Sequence, residues 1–362
     1  MRRRRKYDFY LVVFLTILTV GYFTYNHMSA ESRGVENYSE ALEAYKSSDY
    51  EKAYEEFAKV PSGSTLKPSA LFRQARCATN MDKKELAIKK YNRIVHSSVK
   101  SSIAPISEYN MANLMFEIQD KGAKKHFKKI IKKYPTSDYA VASNYYLGLI
   151  EVSNPPKSER GLKKSKNRAF IYFKNYLEEA PDGRFALKTI DEIKKLGVQL
   201  TNYDNLLIAK SYYANGEYTK AKDYLNKTTL AESWSDFAKN EYKLGNKEKA
   251  NYYAELGLKK HASNTPNADV YEVIDNYIAS FPLRRDGIIK LNSLGLNSTG
   301  ADYAAYLNCN EVVASNLKEA CYRTLYEKYP SGQFSADSLF NIFMAKYLQK
   351  YFFGIKYPRH VY

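Results

Sequence analysis

Cysteine and histidine are scarce in these 362 residues, and neither is arranged for chemistry. Cys77, Cys309 and Cys321 make no metal or redox spacing. The twelve residues from Cys309 to Cys321 leave two readings open, a disulfide or two small buried helix residues. His27, His96, His126, His261 and His360 stand apart, so no metal site is readable. The chain has no G-x-x-x-x-G-K-[ST], no G-x-G-x-x-G after a strand, no H-E-x-x-H and no G-x-S-x-G. Adjacent acids such as Glu55-Glu56 and Glu178-Glu179 point in different directions from a helix and read as solvated faces. No catalytic, cofactor-binding or metal-binding residue is therefore expected, and no cofactor.

Acidic charge is also in deficit. Against 56 Lys and Arg there are 39 Asp and Glu, a net +17. Five of the cations, Arg2, Arg3, Arg4, Arg5 and Lys6, precede an uncharged apolar run over 9–25, FYLVVFLTILTVGYFTY. At 17 residues the run reaches the lower edge of a membrane span. The one-sided cations orient such a span with its N-terminus in the cytoplasm, exporting everything after it. A cleaved signal peptide is the competing reading. Against it, the best cleavage site, Met28-Ser29-Ala30, has a bulky Met where a small residue belongs, and the run exceeds the usual 7–15 residues. The expectation is an uncleaved signal-anchor in the cell membrane, with the bulk extracytoplasmic. That compartment sets nucleic acid aside as a partner for the basic surface. Phospholipid headgroups, wall polymers and cell-wall peptide carboxylates remain.

From Glu36 onward the pattern is helical, and one phrase recurs. It appears as SSDYEKAYEEF (47–57), MDKKELAIKKY (81–91), KGAKKHF (121–127), KNRAFIYF (166–173), NGEYTKAKDYL (215–225) and LGNKEKANYYA (244–254). Ala53 with Phe57, Ala87 with Tyr91, Ala123 with Phe127, Ala169 with Phe173 and Ala221 with Leu225 lie four residues apart, on one helical face. The alanine admits a neighbouring helix and the larger residue fills the groove beside it. The alanine intervals begin at 34 and 36 residues, and prolines end helices at Pro135, Pro181 and Pro330. Gly216 and Gly245 fall where paired helices turn and a positive φ is often needed. This resembles the tetratricopeptide repeat (TPR), a helix–turn–helix unit of 34 residues. The resemblance implies an all-α, TPR-like α-solenoid, here behind a single N-terminal transmembrane helix.

The expected organisation is a basic head (1–8), the anchor (9–25), a linker (26–35), repeats over 36–152, an exposed polar loop (153–167) and repeats over 168–362 that end mid-pattern. At that end Gly354 replaces the expected alanine and Pro358 interrupts the helix. The longest cation run, Lys124, Lys125, Lys128, Lys129, Lys132 and Lys133, alternates with apolar residues and reads as the wet face of a repeat helix or as an anion-binding stripe. The tyrosine doublets 145–146, 212–213 and 252–253 read as packing.

Two longer stretches narrow the resemblance. LLIAKSYYANGEYTKAKDYLNKTTLAESWSDFAKNEYKLGNKEKANYYAELGLKK (206–260) and LYEKYPSGQFSADSLFNIFMAKYLQKYFFGIKY (325–357) are similar to the helical superhelix before the catalytic domain of soluble lytic murein transglycosylases. In that family a lysozyme-like domain carries a catalytic glutamate in a Glu-Ser context, with Gly-Leu-Met-Gln downstream. Glu31-Ser32 and Glu232-Ser233 lack that context and Gly-Leu-Met-Gln is absent, so no catalytic residue carries over. The resemblance implies a scaffold that binds peptidoglycan or wall enzymes without cutting. A general envelope adaptor recruiting client or translocon proteins is the alternative.

Overall fold

The computed structural model describes residues 2–96, 102–153, 155–262, 267–292, 294, 296, 298–313 and 315–351, with the side chains of 2–12, 230–232, 260–262, 267–269, 292, 298, 315–316, 343 and 345–351 outside the description. Among the described residues all regular structure is α-helical. The chain divides into two compact units, Met1–Ala180 with Lys188–Val198, and Pro181–Leu187 with Gln199–Tyr362. Both are TPR-like stacks of helix pairs. Gly354 and Pro358 lie outside the described residues.

The first unit contains α1 (Arg2–Lys46), α2 (Tyr50–Lys59), α3 (Lys67–Asn80), α4 (Lys84–Val95), α5 (Ala104–Glu117), α6 (Ala123–Lys133), α7 (Asp138–Ser153) and α8 (Glu159–Glu179), followed by α9 (Ala186–Leu196). Pairing is α1 with α2, α3 with α4, α5 with α6 and α7 with α8. The two helices of a pair differ in character. The second carries apolar residues along one stripe; in α6 these are Ala123, Phe127 and Ile130, with lysines opposite. The first is enclosed on several sides, so α5 buries Tyr109, Met111, Ala112, Leu114 and Met115 around its circumference. Ala53, Ala87, Ala123 and Ala169 are essentially inaccessible, as are Phe57, Tyr91, Phe127 and Phe173 one turn on. The α7–α8 contact is closer still: a Cβ on Gly148 would lie 2.3 Å from the Phe173 ring, so nothing larger than glycine fits there.

Five of the turns inside pairs share one geometry, those of α1–α2, α3–α4, α5–α6 and, in the second unit, the turns at Gly216 and Gly245. Ser48, Asp82, Gln119, Gly216 and Gly245 have φ of 62°, 56°, 58°, 77° and 83°. After each, an amide reaches back five residues: Asp49 N to Ala44 O, Lys83 N to Ala78 O, Asp120 N to Met115 O, Glu217 N to Tyr212 O and Asn246 N to Glu241 O, at 2.8–3.0 Å. With the accompanying three-residue bond, this is the Schellman closure of a helix. Three turns therefore hold a non-glycine residue in the left-handed region.

Two expectations at the N-terminus change. The transmembrane helix over 9–25 is not found: among the described residues no helix is long and apolar enough to cross a membrane. The side chains of 9–12 are outside the description, and 13–25 rises only about 20 Å at 1.5 Å per residue, short of a core of roughly 30 Å. The linker over 26–35 is helical and part of α1. There the Glu31 carboxylate accepts from the Thr65 amide at 2.8 Å and its hydroxyl at 2.5 Å, while Asn37 Nδ2 donates to Lys59 O at 3.0 Å. Ala41 and Ala44, further along the same helix, are in the core. The polar loop over 153–167 is also largely helical, because the Ser158 hydroxyl accepts from the Gly161 amide and caps α8 at Glu159. Prolines and lysines suggested a loop; the serine cap starts a helix directly after Pro155-Pro156.

The second unit contains α10 (Asn202–Ala214), α11 (Tyr218–Leu225), α12 (Leu230–Lys243), α13 (Lys247–Ala262), α14 (Asn267–Ala279), α15 (Arg284–Asn292), α16 (Ser298–Glu311), α17 (Ser315–Lys328) and α18 (Ser335–Tyr351). Ala221 and Leu225 are buried between α10, α11 and α12, and a larger core forms around Trp234, Leu258, Ile274, Tyr277 and Leu291. Cys309 and Cys321 form a disulfide joining α16 to α17, and Cys77 is a free buried thiol.

Two outcomes follow from this packing. Ala221→Leu overfills its contact at a cost of about 1–3 kcal/mol, and hydrogen exchange should quicken over 200–260 while 40–96 stays as in the parent. Gln119→Gly removes left-handed strain and should stabilise by up to about 1 kcal/mol, whereas Gly216→Ala should cost about that much. Urea titrations followed by hydrogen exchange in each unit would read both signs.

Candidate functional site: an ion-lined cleft in the first unit

Two acids are buried in the first helices of neighbouring pairs. Glu108 on α5 has no accessible surface, and Glu151 on α7 has 4%. Cations reach both from flanking helices. His126 Nδ1 and Lys129 Nζ on α6 lie 3.2 and 2.7 Å from Glu108 Oε1. Glu151 takes Lys124 Nζ from α6 at 2.6 Å and Arg168 Nη2 from α8 at 2.9 Å, and the Ser165 hydroxyl donates to its backbone carbonyl. Burial alone would raise both carboxyls. The hydrogen bonds and charges of His126 and Lys129, and of Arg168 and Lys124, outweigh it and hold both below the ordinary carboxylate range.

The same device recurs elsewhere. Gln74 on α3 donates to Tyr54 O at 2.9 Å and accepts from Lys90 Nζ at 3.0 Å. In the second unit, buried Glu241 on α12 pairs with Lys222 on α11 at 2.6 Å and accepts from Asn246.

Beside Glu151 opens a cleft of about 1090 Å³, lined among others by Phe116, Lys121, Lys124, Ile150, Pro156 and Arg168. Its acids are already engaged. Glu117 pairs with Lys84 at 3.1 Å, and Asp120 accepts from the Gly122 amide at 2.7 Å. Carboxylates held ionised by neighbouring cations are not general acids at neutral pH. Among the described residues no group of His, Cys, Asp and Glu could hold a metal ion. What the arrangement offers is recognition through charge, with a small apolar floor.

The lysine run is split in two by this geometry. Lys124 and Lys129 turn inward to the buried acids, while Lys125, Lys128, Lys132 and Lys133 are exposed, the last with its ammonium 5.1 Å from the Tyr134 ring. The doublets are split likewise. Tyr145 and Tyr212 are buried, Tyr146 stacks on Phe127 at 5.1 Å, and Tyr252 is exposed. Glu108, Glu151 and Arg168 escaped sequence reasoning. Their signal was a lone acid inside an apolar stretch, SEYNMANLMF and YYLGLIEV, next to a cation-rich helix.

Against known proteins, the tetratricopeptide-repeat family profile matches residues 69–100, 107–137 and 205–229. These segments coincide with the α3–α4, α5–α6 and α10–α11 pairs. The chain carries tetratricopeptide repeats in these segments. No curated protein matches its sequence. Among solved structures it is similar to the C-terminal part of a TPR repeat-containing protein from Cytophaga hutchinsonii, at 16% identity over 83% of this chain and 99% of that one. The TM-score of 0.31 is too low for that structure's geometry to bear on this one. These matches lend the lytic-transglycosylase resemblance no support.

The buried carboxylates impose a pH dependence. A group whose folded-state pKa is depressed stabilises above its unfolded pKa, and that stability is lost as pH falls through the folded value. The α5–α8 region should therefore hold constant protection from neutral pH down to the ordinary carboxylate range and loosen below it. Glu108→Gln/Glu151→Gln should be less protected at pH 7 and show a flatter acid limb; hydrogen exchange across pH reads both.

Proposed function

We propose that this TPR-repeat protein is a membrane-attached, extracytoplasmic scaffold whose stacked repeats bind a protein partner. The observation carrying the attachment is the surface of α1. Phe14, Ile17, Phe23 and Tyr25 are 59–72% exposed there, in a run with no charge, and the same helix continues into the first repeat. A soluble surface rarely shows so continuous an apolar stretch. Together with Phe9–Val12 the run approaches the length of a span, and the cations at 2–6 favour a cytoplasmic N-terminus. The Cys309–Cys321 disulfide is consistent with export, since such bonds persist in oxidising compartments. The repeats favour protein binding because helix-pair stacks present extended surfaces without a catalytic centre.

Within that reading, peptidoglycan or a wall enzyme is the partner implied by the sequence similarity of 206–260 and 325–357 to lytic transglycosylases. A client or translocon protein is the alternative. Protease added to intact spheroplasts should digest the repeats and spare only the N-terminal segment; full protection would reject the orientation. Co-sedimentation with purified peptidoglycan should retain the chain without releasing muropeptides, and a chain left wholly in the supernatant would remove the wall reading.

A further inference from the structure

The exposed half of the lysine run does not stand alone. Lys125, Lys128 and Lys132 are all exposed and follow one another at intervals of 3 and 4 residues, a single line along α6, and exposed Lys121 precedes them in the turn that leads into the helix. A second set, Lys157, Arg160, Lys163 and Lys164, is exposed at the start of α8. Among the described residues none of the eight has an ion-pair partner. The two sets meet at the cleft: Lys124 of α6 and Arg168 of α8 grip the same Glu151, and Lys121 and Pro156 line one cavity. Glu151 offsets one of the two inner cations, Lys124 and Arg168, so that cluster keeps a single positive charge and adds to those on the outer faces.

We propose that the outer face of α6 and the first turns of α8 form a second membrane contact, one that takes anionic phospholipid headgroups. Three observations favour lipid over a polypeptide. Seven of the eight cations are Lys, point charges on flexible stems suited to many diffuse anions and not to the bidentate geometry that Arg provides. The outer face of α6 exposes no large apolar side chain, so a polypeptide would find no hydrophobic centre to bury. Leu162, 38% exposed between Arg160 and Lys163, gives α8 one apolar residue at headgroup depth. A short apolar run reinforced by a polybasic patch is a two-signal attachment. The surface differs from the α1 attachment in needing anionic lipid.

The test uses the full chain with vesicles of zwitterionic phospholipid alone and vesicles in which about a third is anionic, a fraction sufficient to set a negative surface potential. An amine-reactive reagent then footprints the lysines. Lys125, Lys128, Lys132, Lys163 and Lys164 should lose reactivity about fivefold or more in anionic vesicles only, with recovery in roughly 1 M salt. Lys220, exposed in the second unit, should not change. Equal reactivity in both vesicles would overturn the proposal, as would protection by soluble polyglutamate but not by anionic vesicles. Lys125→Glu/Lys128→Glu/Lys132→Glu, with helicity checked by circular dichroism, should abolish the difference; persistence of the protection at Lys163 and Lys164 would overturn the joint surface. Failure of the α1 attachment shows separately, as a chain that does not float with zwitterionic vesicles. Anionic vesicles should capture even that chain, and absence of capture would again count against the proposal.

Discussion

Everything in this architecture depends on how closely two helices can approach at an alanine. A helix pair gains little from its own contacts, since each buries only one stripe against the other. At Ala53, Ala87, Ala169 and Ala221 the methyl group is enclosed completely, and the large residue one turn on occupies the space the small one leaves. Gly148 carries the principle furthest, giving up its Cβ so that Phe173 can lie against the α7 backbone. Contacts of this kind tolerate little change in volume, because dense packing leaves no room to absorb an added methylene.

Alanine contacts alone do not fix how one pair is rotated on the next. Polar groups in the first helices supply that. Gln74 joins α2, α3 and α4, and Glu151 joins α6, α7 and α8, each reaching the preceding and the following second helix. A buried carboxylate is weak evidence for net stability, since desolvation offsets much of its pairing energy. Its stronger effect is on register: a pair slipped by one residue would leave the acid without cations inside the protein. The charge that orders the stack also divides the six-lysine run of α6, turning Lys124 and Lys129 inward.

The repeat was legible because its signal is periodic and local. An alanine four residues before an aromatic, and a glycine between helices, identify a packing face and a left-handed turn from sequence alone. The Schellman turns at Ser48, Asp82 and Gln119 were harder, since no glycine marks them and the strain is held by packing on either side. The loop expected over 153–167 rested on Pro155-Pro156 and the lysines around them, while one serine oxygen decides that α8 begins at Glu159. The buried acids were illegible as partners for a different reason. Their cations come from helices 17 to 27 residues away in sequence, so no local pattern couples Glu108 with Lys129 or Glu151 with Lys124.

The unbroken course of α1 has a geometric consequence. From Arg2 to Lys46 no residue departs from helical conformation, and the stretch from Glu31 onward is clamped to the first repeat. The apolar run and the repeats are therefore in fixed angular phase. One residue inserted between Asn26 and Ala30 would turn the run by about 100° relative to the array and displace it by about 1.5 Å. A seven-residue insertion, close to two full turns, would nearly restore the bearing while lengthening the stem by about 10 Å. Whatever α1 is seated in, its rotation about its own axis dictates which side of the first unit faces outward.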